Sequence, residues 1–373
     1  NTGGQSIPDE PKMTAHMGII NNGNGLPNSI TDDFNDYDGF IGIELRGQSS
    51  QMYPKKSYGL ETRDSLGENL NVSLLGMPAE NDWILYAPYS DKSMMRNTIT
   101  FNLAQNLKGY ASRTAYCEVF LNNDYQGIYV LMEKIKRDND RVDIERLDPD
   151  EISSPELTGG YIIKVDKIDD DFVYGQDGWL SSPMPSYPNA MDITFQYYYP
   201  KADVMTAEQK LYIKDYVTDA EAVLIGNDFN DPALGYYNYL DVTTFVDHII
   251  MRELSKEVDS YRYSTFFYKE NLKDGGKLAA GPIWDFNLGY GNVNYWGPGV
   301  NVTGWVFDDV YPVDWSIIYW WDRLMTDPYF KDLLKTRWTN LREGTFSNNA
   351  LVALVDSLES SMGDAIDRNY DRW

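Results

Sequence analysis

The chain has 373 residues, with 57 acidic against 32 basic side chains, a formal charge of −25 at neutral pH and a single cysteine. That length accommodates one large domain or two modest ones around a substantial core, and the lone Cys117 excludes an internal disulfide. So acidic a surface repels nucleic acid and anionic lipid, which excludes both as expected partners; a basic or cationic partner fits better.

No stretch approaches the roughly 20 apolar residues of a membrane span, so no transmembrane segment is expected. The chain begins at Asn1 rather than methionine, which predicts a processed or trimmed form. Its wealth of Tyr, Trp, Asn and Gly with almost no Cys predicts an exported protein, periplasmic, cell-surface or extracellular. A monomer is expected. Cys117 lies in the apolar run "AYCEVFL" and reads as a buried thiol rather than a nucleophile.

Residues 1–35 are rich in Gly, Pro and Asn and predict a loose lead-in with one strand near Met17–Ile20. "FIGIELRG" then reads as a strand ending at Arg46–Gly47, and "KKSYGLE" as a second one, with the polar loop "QSSQMYP" between them. From Lys92 to Leu107, apolar residues at 95, 99, 103 and 107 predict a helix, with Asp91 as N-cap and Gly109 as a stop. The run "AYCEVFLNNDYQGIYVLMEKI" is the clearest hairpin, turning at Asn122, Asn123 and Asp124.

"GGYIIKVD" and "MDITFQYYY" predict further strands separated by a surface excursion, the second one alternating at Met191, Ile193, Phe195 and Tyr197. After Pro200 the pattern turns helical. Thr206 and Gln209 form a capping box before a helix whose face carries Tyr212, Tyr216, Ala220 and Val223. A second helix spans about Asp241 to Glu257. "STFFYKE" and "KLAAGPIW", joined by "NLKDGG", predict a hairpin that ends at Asp285, and a mostly helical tail follows from Trp315. The plan is α+β: a strand-rich lobe over 1–200 and a helix-rich lobe over 201–373.

A helix, a loop with Asp259, an antiparallel hairpin and then Asp285 form one ordered unit. A hairpin returns the chain to where it started, so the two carboxylates should emerge at the same end of the sheet, where a divalent cation would keep both ionised. The order matches protein-kinase-type phosphoryl transfer. In that scheme an aspartate after a helix orients the acceptor hydroxyl, a polar residue five positions on binds metal, and a hairpin leads to a metal-binding aspartate followed by Phe. Here Ser264 stands five after Asp259, and Phe286 and Asn287 follow Asp285; the His-Arg before the first aspartate and the Gly after the Phe are missing.

The segments "IELRGQSSQMYPKKSYGLE", "YSDKSMMRN", "EVFLNNDYQGIYVLMEKI", "ELSKEVDSYRYSTFFYKE" and "GPIWDFNLGYGN" together resemble the spore coat protein H (CotH) kinase family, in particular its exported, Bacteroidetes-like branch. The resemblance runs from about Ile7 to about Leu341. It implies a bilobal, atypical protein-kinase-like fold that binds ATP with Mg2+ or Mn2+ and phosphorylates Ser/Thr of extracellular or coat proteins. Asp259 then takes the catalytic position and Asp285 the metal-binding one. The family's more usual asparagine is replaced by Ser264, and a common acidic residue by Asn287. Both can offer a neutral oxygen to a hard cation, but with less charge, so metal affinity should be lower and a catalytically silent member becomes a serious alternative.

The phosphate end needs positive charge in so acidic a protein. Arg46, Lys55 and Lys56 are the candidates around "RGQSSQ", which is not a P-loop because no Gly-Lys-Ser/Thr follows. Lys56 is favoured over Lys55 by strand alternation. The helix Lys92–Leu107 contains no glutamate to pair with a lysine, so Glu133, at the end of "YVLME", is the available acid, and Arg96 could reach a phosphate.

Two histidines cannot form a three-histidine zinc site, His248 within an apolar helix reads as a satisfied, partly buried side chain, and no Gly-x-Ser-x-Gly elbow is present. The competing readings are a kinase-like surface protein that binds carbohydrate or peptide through aromatics such as those in "YGNVNYWGPGVNVTGW" and "DWSIIYWW", and a glycoside hydrolase with paired carboxylates.

Overall fold

The structure is a computed structural model that describes residues 1–23, 26–181, 193–295, 297–310 and 318–373. Its elements run in the order β1 (Met13–Ile19), β2 (Tyr37–Arg46), β3 (Ser57–Arg63), β4 (Asp82–Tyr86), α1 (Arg96–Ala104), β5 (Thr114–Leu121), β6 (Asp124–Glu133), β7 (Tyr161–Val165), β8 (Gly178–Leu180), β9 (Thr194–Tyr199), α2 (Ala207–Ile225), α3 (Val242–Ser255), β10 (Thr265–Lys269), β11 (Leu278–Ile283), α4 (Val306–Val310), α5 (Trp320–Leu324), α6 (Pro328–Glu343), α7 (Asn348–Met362) and α8 (Ala365–Arg372). Both strand and helix are plentiful, as the α+β reading requires, and no described helix is long and apolar enough to cross a membrane.

The chain forms two compact units. The first comprises Asn1–Thr98, Ser112–Lys134 and Ala353–Trp373, and the second Ile99–Ala111 and Ile135–Val352. These are not the sequence halves expected on either side of residue 200. β7 to β9 precede Pro200 but pair into the second unit's sheet, and the last 21 residues return to the first unit.

In the first unit, six antiparallel strands lie in the order β1-β2-β3-β4-β6-β5. One face buries Ile41, Ile43, Leu60, Trp83, Leu85, Tyr129 and Leu131 in a shared apolar core. The β5–β6 hairpin closes through Asn122 and Asn123, both at positive φ (52° and 68°), the two-residue turn that matches strand twist. Cys117 is half-buried, with its thiol 3.8 Å from the Tyr129 carbonyl, and burial pushes it up to about 12, so it is no nucleophile near neutral pH. α8 packs on β6: Trp373 Nε1 donates to the Gln126 carbonyl (2.9 Å) and Arg368 forks onto Glu118 (2.7 and 2.8 Å).

In the second unit, five strands lie in the order β11-β10-β7-β9-β8. α3 packs on β11 and on α6, while α2 packs on α5. Thr206 caps α2 with the reciprocal Gln209 bond. The buried face of α2 is Gln209, Ile213, Val217, Ala220, Glu221 and Leu224, offset from the expected stripe. Its tyrosines instead lie at the edge of the core: Tyr212 stacks on Tyr161 (5.9 Å), and the Tyr216 hydroxyl donates to the Tyr239 carbonyl (2.9 Å). Met191 of the second predicted strand, Trp296 and residues 314–317 of "DWSIIYWW" lie outside the described residues; Trp320 and Trp321 are fully buried core.

Candidate active site

The hairpin registers organise the second-unit residues. Thr265 at the start of β10 faces Ile283 at the end of β11, so the segment 259–264 and the segment 284–287 leave the sheet at one end. α3 stops at Lys256 in the left-handed region (φ 53°), and Tyr261 (φ 70°), Ser264 (φ 47°), Asp285 (φ 55°) and Tyr290 (φ 50°) share that conformation. Five of the nine non-glycine residues at positive φ among the described residues thus fall between 256 and 290. Backbone strain of that kind persists where the surroundings over-determine it and clusters at working sites.

Those surroundings can be named. The Tyr290 N–H donates to the Ser255 carbonyl (2.5 Å), and its hydroxyl meets the Thr100 hydroxyl (3.1 Å), fixing the loop after Asp285 to the end of α3. Asn292 Nδ2 donates to the Asn287 carbonyl (2.7 Å). Phe286 is fully buried while Asp285 itself is exposed, so the apolar ring anchors the carboxylate's backbone. Asp259 is half-buried, and its Oδ1 accepts from Arg262 Nη2 (2.7 Å).

Within the field of both aspartates lies a carboxyl group that the motif did not single out. Glu257 is 1% exposed; its Oε1 accepts from the Asp259 N–H (3.3 Å) and its Oε2 has no partner among the described residues. Burial drives its pKa well up, and the charges of Asp259 and Asp285 add to that rise, so both aspartates act on one buried acid. Arg252, also fully buried, is lowered by burial, and Glu257, Tyr261, Asp285 and Asp259 oppose that shift. Its Nη2 donates to the Ser264 carbonyl (2.9 Å), its Nε to His248 Nε2 (3.2 Å), and the guanidinium stacks on Phe286 (4.6 Å). His248 differs from its expected satisfied state. It is fully buried, Nε2 is an acceptor, Nδ1 has no partner among the described residues, and burial followed by Arg252 holds its pKa well down.

In the first unit, Arg46 ends β2 opposite Ser57 at the start of β3, so Arg46 and Lys56 flank the mouth of the 47–56 loop. The loop holds a short 3-10 turn at Ser49–Met52, and Lys56 Nζ donates to the Gln51 carbonyl (2.6 Å). Lys55 points into the fold instead. It is 3% exposed, and its Nζ donates to the Ile128 carbonyl (2.6 Å) and Asn369 Oδ1 (2.7 Å). Burial pushes it down to about 7, with Cys117 opposing and Lys92 adding to the shift. Arg96 pairs with Asp91, whose other oxygen accepts from the Arg96 N–H (2.9 Å) at the start of α1. Glu133 is fully buried and accepts from the Arg113 N–H (2.9 Å), with Arg113 Nε at 3.5 Å.

No three His, Cys, Asp or Glu side chains among the described residues form a metal-holding set. The donors the sequence offers are the exposed Asp285 carboxylate and the neutral oxygens of Ser264, just before β10, and of Asn287, two residues past Asp285. That set fits Mg2+ or Mn2+, since Mg2+ takes one or two protein carboxylates and fills its octahedron with water and phosphate. The buried, unpartnered Glu257 oxygen beside two further acids is the structural feature that suits a cation nearby.

Arg252 and Glu257 each left a trace in the sequence. Arg252 ends the apolar run Ile249–Met251, and Glu257 precedes Asp259 by two. Burial of both charges was not deducible from that spacing.

Residues 43–373 match the family described as CotH kinase protein. No curated protein matches the chain. The match covers nearly the whole sequence, and the chain belongs to the CotH kinase family.

Proposed function

We propose that this member of the CotH kinase family is an exported, ATP-dependent protein kinase that phosphorylates Ser or Thr of an extracellular or coat protein. The observation that carries the reading is the β10–β11 register, which sends Asp259 and Asp285 out of one end of the sheet and sets both against the buried Glu257. The family match supports kinase-type chemistry in general; the nucleotide, the metal, the acceptor and export are the present reading.

In this reading Asp259 orients the acceptor hydroxyl and takes its proton as the oxygen attacks the γ-phosphorus, while the bond from the γ-phosphorus to the β-phosphate oxygen breaks and ADP leaves with its electron pair. Arg262, bonded to Asp259 Oδ1, holds the carboxylate's orientation. Asp285 would hold the metal, with Ser264 and Asn287 as neutral donors. A bound Mg2+ or Mn2+ would offset phosphate charge and polarise the transferred group. Within the first unit Arg46 and Lys56 remain the candidate phosphate-binding cations, because Lys55 is buried and committed to Ile128 and Asn369. The acidic surface favours a basic acceptor segment.

The alternative, a silent kinase-like protein that binds carbohydrate or peptide, draws on the neutral residues at Ser264 and Asn287 and on the exposed rings of Tyr295 and Trp305. Calorimetric titration of ATP with Mg2+ or Mn2+, then with chelator, and again on Asp285→Ala decides between them. Metal-dependent binding that disappears in the variant is expected. Absence of binding under every condition overturns the kinase reading and favours the binding protein.

A further inference from the structure

We infer that Arg252 is a positioning residue that couples the Asp259 segment to the Asp285 segment, so that occupancy at one is felt at the other. The inference rests on the kinase reading of this site and adds a part that the reading does not contain.

A guanidinium with no exposure is an expensive way to fill a core, since burying a charge costs several kcal/mol unless its donors are satisfied. A methionine would fill similar volume without that cost. What only Arg252 supplies is a rigid planar fork with donors in several directions. One edge reaches the carbonyl of Ser264, at the end of the turn that begins with Asp259, and one face lies on Phe286, the residue that anchors Asp285. His248 accepts from the Nε–H and so holds the plane of the fork from α3, one turn away, while Nη1 has no partner among the described residues. Ser264 and Asp285 both sit at positive φ, where a side chain disfavours the backbone, so each segment needs an outside contact to stay in place. The same side chain provides it to both.

The charge has a second consequence. Arg252 lies within the field of Asp259 and Asp285, so it lowers the net negative charge of the region. Replacing it by a neutral residue makes the region more acidic, which strengthens rather than weakens attraction for a divalent cation. Loss of coupling without loss of metal attraction is therefore the expected signature, and general destabilisation would not produce it.

The test is hydrogen exchange read by mass spectrometry on the whole protein, with and without ATP and Mn2+, for the wild type, Arg252→Met and Arg252→Lys. In the wild type, ATP with Mn2+ should slow exchange in both 257–264 and 284–290, by about tenfold. In Arg252→Met, which can still pack on Phe286 but has no donor for the Ser264 carbonyl, the protection should persist at 284–290 and vanish at 257–264, with metal affinity unchanged or tighter. Arg252→Lys keeps the charge and one donor for the Ser264 carbonyl, so it should recover part of the lost protection; it also serves if the methionine variant fails to fold. Protection of both segments in the variants overturns the inference and leaves the kinase reading intact. Loss of protection at both segments, or faster exchange throughout β10 and β11, assigns Arg252 a general structural role and likewise overturns it. Absence of any ligand-induced protection in the wild type overturns the kinase reading, and the inference with it.

Discussion

Replacing Lys55 by methionine should remove a pH dependence of stability that the wild type carries. Lys55 is 3% exposed and its pKa falls from 10.5 to about 7 in the fold. Between those values the folded protein holds it neutral while the unfolded chain binds a proton, so stability rises with pH from about 7 to about 10.5. The whole span of about 3.5 units corresponds to about 5 kcal/mol, and the part between about pH 7 and about pH 9 to about 2 kcal/mol. Lys55→Met has no such group. Its stability relative to the wild type should therefore be greatest near pH 6 to 7 and decline by about 2 kcal/mol as pH approaches 9. Urea denaturation of both proteins at several pH values, followed by tryptophan fluorescence, gives that difference directly. Parallel curves for the two proteins over the same range would refute a lysine held near neutrality by burial.

Three further outcomes follow from individual contacts. Asn369 Oδ1 accepts from both Lys55 Nζ (2.7 Å) and the Ile128 N–H (3.0 Å), so Asn369→Ala strands two buried donors and should cost about 2–4 kcal/mol, seen as a lowered urea midpoint. Thr206→Ala removes the capping box of α2 and should cost about 1 kcal/mol in the same assay; no change would mean that the cap is redundant with packing. Asp285→Gly relieves a non-glycine residue at φ 55° and should raise the melting temperature slightly, by a contribution of about 1 kcal/mol, while abolishing metal-dependent ATP binding in calorimetry. A melting temperature at or below that of the wild type would show that Asp285 is held there without strain.

Local signals in the sequence carried much of the fold. Asn122 and Asn123 specify a two-residue turn by their tolerance of positive φ, and the β5–β6 hairpin forms around them. Thr206 and Gln209 mark the start of α2 because the bonds they make are only three residues long. The hairpin logic that carries the chain from Asp259 to Asp285 is equally local, and the Thr265–Ile283 register agrees with it. β4 and the short β8 gave no distinct pattern, since each is completed by neighbours far away in the chain.

What the sequence by itself determined was therefore the set of contacts made within a turn or a hairpin, together with the family whose ordered motifs those contacts hold. The tertiary structure alone decided which of two adjacent lysines is buried: Lys55 turns inward because Ile128 and Asn369 wait there, the latter 314 positions away, while Lys56 stays at the loop. It also decided that β7 to β9 join β10 and β11, that α8 returns to β6, and that Arg252 and Glu257 sit without solvent beside two aspartates. The physical reason is the same in each case. Burial and charge compensation depend on groups distant in sequence, and no spacing rule along one strand or helix encodes what will pack against its other face.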